Sequence, residues 1–308
     1  MKAILVVSIG VICVVILQLF LAPKQHGYNK SLERWTDNYQ DIPNVIWTYW
    51  HDPLNIPPLV QRCIKTWQLT NPTYTINILN DAKIKELFGS DIVTMFPNVV
   101  KSNIVARQAD LARALVMAKY GGFWIDASTI CTESLNWVHR IRQQSGAEMI
   151  AFYAPHTTDP LMPIIENWFF AAVRGSAFVN DWLAELKRME SFDSEAAYIA
   201  HVKKNKEVDM QHLEHSLPYL VMHLCAAVVL QRDPNKYNLH LFNGLKGPLM
   251  YMDKARWKQP EGFKELCEKK ENQTPIIKMR STEREYLEKN GFSCNTNNPY
   301  VKMVINTA

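Results

Sequence analysis

A chain of 308 residues, 47% hydrophobic and 21% charged, with a formal net charge of +4, has ample length to bury a core. The positive charge is mild and dispersed, and no aromatic-plus-basic motif accompanies it, which excludes nucleic acid as a partner. No internal repeat or low-complexity tract interrupts the chain.

Residues 3–22 are an apolar run broken only by Ser8, Gly10 and Gln18. The run is long enough to cross a hydrocarbon core as one helix. It exceeds the apolar part of a cleaved signal peptide, and no small-x-small site precedes Pro23, so residues 1–22 are expected to be an uncleaved anchor. Lys2 on one side and Lys24 and Lys30 on the other leave its orientation open. Residues 23–41 are polar and irregular and read as a stem, which leaves 42–308 as the folded domain. Asn29–Lys30–Ser31 is a glycosylation sequon; Asn272–Gln273–Thr274 is a second, followed by Pro275.

Along the domain, residues 45–49 read as a strand, 59–68 as a helix and 74–79 as a strand. Asp81 is expected to cap a helix over 82–87, and 91–96 reads as a short helix stopped by Pro97. Residues 103–119 carry apolar side chains at helical intervals, and Gly121 and Gly122 then allow the chain to stop and reverse. Strands are expected at 123–125 and 148–153, with 163–172 presenting Asn167 and Trp168 at an exposed edge. Residues 177–189 form an amphipathic helix, 201–206 a solvated helix face, and 217–230 an apolar helix. Strands interleaved with helices predict an α/β sheet.

The centre of the chain carries the chemistry. Asp110 and Arg113 stand three apart and share a helix face, and Asp126 ends the following strand. The carboxyl ends of strands are where open α/β sheets bind ligands. Two carboxylates with an arginine between them suit an anionic, hydroxyl-rich ligand, and a nucleotide sugar fits that description. Spacing alone equally allows a surface ion pair and an ordinary loop aspartate. On the first strand Trp47 and Trp50 are expected on opposite faces, with Trp47 packing the underside of the sheet. No Gly-x-Ser-x-Gly elbow or Walker loop is present, which argues against nucleophilic hydrolases and phosphate-loop enzymes.

The order Asp110–Leu111–Ala112–Arg113, Lys119–Tyr120–Gly121–Gly122, Trp124–Ile125–Asp126–Ala127 is similar to the core of glycosyltransferase family 32. It resembles the capsular polysaccharide synthesis proteins still more closely. Ile42–Pro43–Asn44–Val45–Ile46–Trp47–Thr48–Tyr49–Trp50 resembles the family's first strand, and Pro57–Pro58, Cys63, Thr66–Trp67 and Asn71–Pro72–Thr73–Tyr74 follow in the family's order. Weaker likenesses at Ile165–Glu166–Asn167–Trp168–Phe169 and Lys246–Gly247–Pro248 extend it over roughly residues 42–252.

The resemblance implies a GT-A type, Rossmann-like mixed sheet flanked by helices. It also implies transfer of a sugar from a nucleotide-sugar donor to a glycan or glycoconjugate hydroxyl, with retained configuration. On that likeness Trp50 stacks on the base, Asp110 and Arg113 hold sugar hydroxyls and phosphate, and Asp126 holds ribose and a divalent cation, Mn²⁺ or Mg²⁺. The family's second acid is replaced by Ser128, a much poorer ligand for a hard cation. His223 stands where such enzymes often place a late metal or phosphate ligand; a satisfied core histidine is the plainer reading. Glu166 and Asn167 would line the acceptor side, or simply begin an element. With one N-terminal span the resemblance favours a single-pass type II membrane protein whose 42–308 catalytic domain faces a Golgi-type lumen. An inactive, membrane-anchored sugar-binding relative is the competing reading, with Ser128 as its mark. Outside the span the chain has Cys63, Cys131, Cys225, Cys267 and Cys294; an oxidising lumen permits a disulfide, for which Cys267 with Cys294 is offered, and a buried thiol is the plain reading for the others.

Overall fold

The computed structural model describes residues 41–101, 104–154, 162–206, 208–210 and 213–306. The expected anchor, and all of the expected stem but Asp41, lie outside these residues. Among the described residues no helix is long and apolar enough to cross a membrane.

In chain order the elements are β1 Val45–Tyr49, α1 Pro58–Thr70, β2 Thr75–Leu79, α2 Asp81–Phe88, α3 Ile92–Met95, α4 Ile104–Tyr120, β3 Gly122–Ile125 and β4 Thr129–Cys131. There follow α5 Asn136–Ser145, β5 Met149–Ala154, β6 Ile164–Ala172, α6 Ala177–Met189, α7 Glu195–Asn205 and α8 Val221–Arg232. The last part holds β7 Leu239–Asn243, α9 Met250–Lys254, α10 Glu261–Glu268, β8 Ile276–Lys278, α11 Ser281–Asn290 and α12 Pro299–Ile305.

Six strands form one mixed sheet in the order β2-β1-β3-β6-β5-β7, and β4 and β8 form a small antiparallel pair. β2, β1 and β3 run parallel, β6 runs against both β3 and β5, and β7 is parallel to β5. Helices cover both faces, so the central strands are apolar on both sides. Alternate residues part accordingly. Trp47 and Trp124 pack with α4, α6 and α8, while Ile46, Phe123 and Ile125 pack with α1 and α5. A third cluster, including Ile130, Tyr251, Phe263 and Ile277, lies around the β4–β8 pair. The Cys267–Cys294 disulfide forms beside it, as offered from the sequence, and Cys63, Cys131 and Cys225 are buried thiols.

The Gly121–Gly122 turn is required by close backbone approach as well as by conformation. At φ +64° and +98°, a Cβ on Gly121 would lie 2.7 Å from the Arg174 nitrogen, and one on Gly122 would lie 2.5 Å from the Val45 oxygen. Neither backbone atom can give way, so any side chain here would push β3 away from its neighbours.

Three local expectations are corrected. Asn80, not Asp81, caps α2: its side chain accepts from the Lys83 N–H, and Asp81 is the first helical residue. The segment at 163–172 is no exposed edge, because β6 runs between β3 and β5 and Trp168 is buried. The apolar helix starts at Val221 rather than 217, since Leu217, preceding Pro218, is extended, as the residue before a proline prefers.

Candidate functional site

At the carboxyl ends of β1 and β3 the sheet opens onto a cavity of about 240 Å³ whose lining includes Trp50, Asp110, Arg113, Asp126, Asn167 and His223. The strands stop there, and α4, packed on one face of the sheet, carries Arg107, Asp110 and Arg113 at successive three-residue steps on one side.

Arg113 joins the two acids. Its Nη1 donates to Asp110 Oδ1 at 2.7 Å and its Nη2 to Asp126 Oδ1 at 3.0 Å. The guanidinium also lies 4.7 Å from the Trp124 ring centroid, which fixes its plane. Arg107 holds the other side of Asp110 at 2.6 Å, and reaches Glu195 on α7 at 2.6 Å and the Pro218 carbonyl at 2.7 Å. Asn167 Nδ2 approaches Asp110 Oδ1 at 3.3 Å. At the far end Lys278, on β8, donates to Asp126 Oδ2 at 2.8 Å, and Trp124 Nε1 donates to Oδ1 at 3.0 Å. The result is an alternating chain, Lys278–Asp126–Arg113–Asp110–Arg107–Glu195, of three cations and three carboxylates.

Packing around Asp126 works to raise its pKa, but Lys278 first and Arg113 next outweigh it and hold the carboxyl below the ordinary value of 3.8. Its side chain keeps 28% of its exposure, so this end of the chain of charges meets the cavity, whereas the Arg107 and Glu195 side chains retain only 3% and 2%.

A break in strand register aims β6 into the site. Ala151 pairs with Phe170 and Tyr153 with Ile165, so two steps along β5 face five along β6. The surplus residues bulge between Ile165 and Phe170 and carry Glu166, Asn167 and Trp168 out of simple alternation. The Trp168 carbonyl accepts from the Asp126 N–H at 2.8 Å, which ties the bulge to the end of β3. Glu166 turns to His223, with Oε2 3.5 Å from Nε2.

The structure thus brings Trp50, Asp110, Arg113, Asp126, Ser128, Asn167 and His223 to one cavity; Glu166 reaches it through His223. Ser128 and Asp126 are not arranged to hold a divalent cation. Both Asp126 oxygens are taken by Arg113, Trp124 and Lys278, and the Ser128 hydroxyl donates to the Met279 carbonyl at 2.8 Å. Among the described residues no group of three His, Cys, Asp or Glu side chains is placed to ligate a metal. His223 offers one ring nitrogen to Glu166 and buries the other, Nδ1, without a partner. Sequence reading missed Arg107, one helical step before Asp110, and Glu195, Tyr219, Lys278 and Arg284, which have no motif around them.

A model of the family described as capsular polysaccharide synthesis protein matches residues 16–191. O-glycosyltransferase braB of Annulohypoxylon truncatum is 29% identical over 157 residues, 47% of this chain and 37% of that one. The initiation-specific alpha-1,6-mannosyltransferase of Schizosaccharomyces pombe is 26% identical over 118 residues, 36% of this chain and 29% of that one. The matched regions therefore span well under half the length of these curated relatives. Among solved structures, PaToxG glycosyltransferase aligns over 86% of this chain and 87% of its own, at 13% identity and a TM-score of 0.41.

Proposed function

Because the chain belongs to the capsular polysaccharide synthesis protein family, we propose that it is a GT-A type glycosyltransferase moving a sugar from a nucleotide-sugar donor to a hydroxyl of a glycan or glycoconjugate. The observation that carries this reading is Arg113 bridging Asp110 and Asp126 at the mouth of a cavity formed by strand ends.

In this reading the base lies against Trp50 and the ribose at Asp126, and Asp110, Arg113 and Asn167 orient the sugar ring. Glu166 and Asn167 face the acceptor. The acceptor oxygen bonds to the anomeric carbon as the bond from that carbon to the diphosphate oxygen breaks. The electron pair leaves with the diphosphate, and the acceptor's hydroxyl proton passes to the departing phosphate oxygen. With no protein nucleophile assigned, retained configuration calls for attack and departure on one face, a route that rests on positioning and charge stabilisation. The chain of ion pairs suits that task, because each of its four inner groups is held by two neighbours and does not have to reorganise during the reaction.

The same reading places the domain in the secretory lumen behind an N-terminal anchor. The Cys267–Cys294 disulfide supports an oxidising compartment. The test is a screen of nucleotide sugars by thermal shift, followed by assay of nucleoside diphosphate release with a glycan acceptor. A donor that raises the melting point and is consumed only by protein with Arg113 intact supports transfer. Binding without release from any donor, with or without Mn²⁺, favours a sugar-binding protein instead.

A further inference from the structure

A departing nucleoside diphosphate gathers negative charge, which a transferase must offset with a metal ion or fixed cations. The β8–α11 segment brings two cations to this end of the sheet. Lys278 pairs in register with Thr129 of β4, which sets it beside the Asp126–Ser128 turn; its side chain is nine-tenths buried, and its Nζ holds Asp126 Oδ2 at 2.8 Å. A divalent cation at Asp126 would have to displace this ammonium and would gain in exchange a neutral Ser128 hydroxyl already turned to Met279.

Arg284 is the second. It lines the cavity, with its guanidinium 5.7 Å from the Trp50 ring centroid. Its side chain has no acidic partner among the described residues, and its Nε is buried without a hydrogen-bond acceptor. Every cation of the alternating chain has a carboxylate, so among the described residues Arg284 is the arginine lining the cavity that is left to meet an incoming anion. A partly desolvated guanidinium gains most from a ligand presenting paired oxygens, as phosphate does. The Cys267–Cys294 disulfide closes the loop that carries both residues and so fixes the segment as a unit.

We propose that this segment supplies the positive charge for the leaving diphosphate, with Arg284 meeting the phosphates and Lys278 standing on Asp126 where a divalent cation would otherwise sit. The inference rests on the glycosyltransferase reading and adds to it that donor binding needs no divalent metal. Both residues lie beyond residues 16–191, the part of the chain that the family match covers.

The test is calorimetric titration of the full chain with UDP and with GDP, in EDTA and in Mn²⁺. One nucleotide is expected to bind in EDTA with little change on adding Mn²⁺. Arg284→Gln is expected to weaken that binding by about tenfold or more, with an unchanged melting temperature, because one charge-assisted contact is lost. Lys278→Met should weaken it as well, and Lys278→Arg should restore part of it. Binding seen only with Mn²⁺, or Arg284→Gln binding as tightly as the parent, overturns the inference and leaves the transferase reading standing. Failure of both nucleotides to bind in either buffer overturns that reading itself.

Discussion

Among the described residues two carboxylates, Glu185 and Asp110, each bridge two arginines, and they differ in what surrounds them. Glu185 on α6 accepts from Arg188, Arg232 and the Tyr198 hydroxyl, all at 2.8 Å. Asp110 on α4 accepts from Arg107 and Arg113 at 2.6 and 2.7 Å. The arginine side chains about Glu185 are 32% and 57% exposed, whereas those about Asp110 are 3% and 5%. Both carboxylates are buried, but water solvates the arginines around Glu185, whereas around Asp110 it has access only from the cavity side. The Glu185 cluster ends in solvent; the Asp110 cluster runs on to a cavity with Arg284 beside it. Burying several ions costs more than their attraction returns unless every one is paired. A buried, fully paired chain of charges that ends at a cavity is therefore poor economy for stability alone, and suits a site that must hold its polarity fixed.

The largest effect should come from breaking the cluster whose arginines are buried. Asp110→Ala leaves two buried guanidinium groups short of a partner, and we expect a loss of about 3–5 kcal/mol in urea unfolding. A loss near 1 kcal/mol would mean that water enters the cluster, and the contrast with Glu185 would vanish. Activity of this variant is therefore no clean test of chemistry, and Asp110→Asn, which keeps the shape, is the better comparison.

The disulfide comes next. Replacing Cys267 and Cys294 by serine opens a loop with a sequence separation of 27 residues. The expected cost is about 3.5 kcal/mol by chain entropy. Hydrogen exchange should rise in β8 and α11, which carry Lys278 and Arg284, and stay unchanged around Glu185. Equal loosening of both regions would show that the staple stabilises the fold as a whole and does not serve the cavity end in particular.

A smaller effect follows from protonation. Asp126 is held below its ordinary value in the folded protein. Above the unfolded value, near 3.8, the carboxylate is charged in both states and its pairing contributes in full. As pH falls below that value the unfolded chain takes up the proton first, and the contribution is lost by the time the folded group protonates. Stability of the parent should therefore fall more steeply with acid than that of Asp126→Asn, by at most about 1.4 kcal/mol per pH unit. Urea midpoints measured from pH 6 down to 3 (about the range of ordinary carboxylates) would show it. Parallel curves for the two proteins would mean that Lys278 and Arg113 do not hold Asp126 in solution.

How much of this was legible follows from sequence distance. Asp110, Arg113 and Asp126 lie on one helix–turn–strand unit, so their meeting could be reasoned from helix spacing and the Gly121–Gly122 turn. Lys278 reaches Asp126 across 152 residues, and nothing local announces a strand of three residues that pairs only with β4. The β6 bulge was hidden because alternation fixes which face a residue takes only while the register holds. The sequence puts Trp168 at an exposed edge, whereas it is buried beneath the end of β3. Asp81 was read as the cap because Asn and Asp serve equally there, and Asn80 one position earlier took the role.

The smallest effect tests the solvated cluster. Arg232 Nη2 lies 2.8 Å from Glu185, but its side chain is 57% exposed, and Arg188 remains on the other oxygen. Arg232→Ala removes one of two cations from a carboxylate that still has Arg188 and Tyr198. We expect a change of about 0.2–1 kcal/mol, falling further in high salt because the lost pair faces water. In a double-mutant cycle with Glu185→Gln the coupling should stay in that range. Arg113 and Asp110 should couple by several-fold more, since both side chains are at least nine-tenths buried. Equal coupling energies in the two cycles would remove the distinction drawn from exposure, and with it the argument that the Asp110 cluster is kept for what it presents to the cavity.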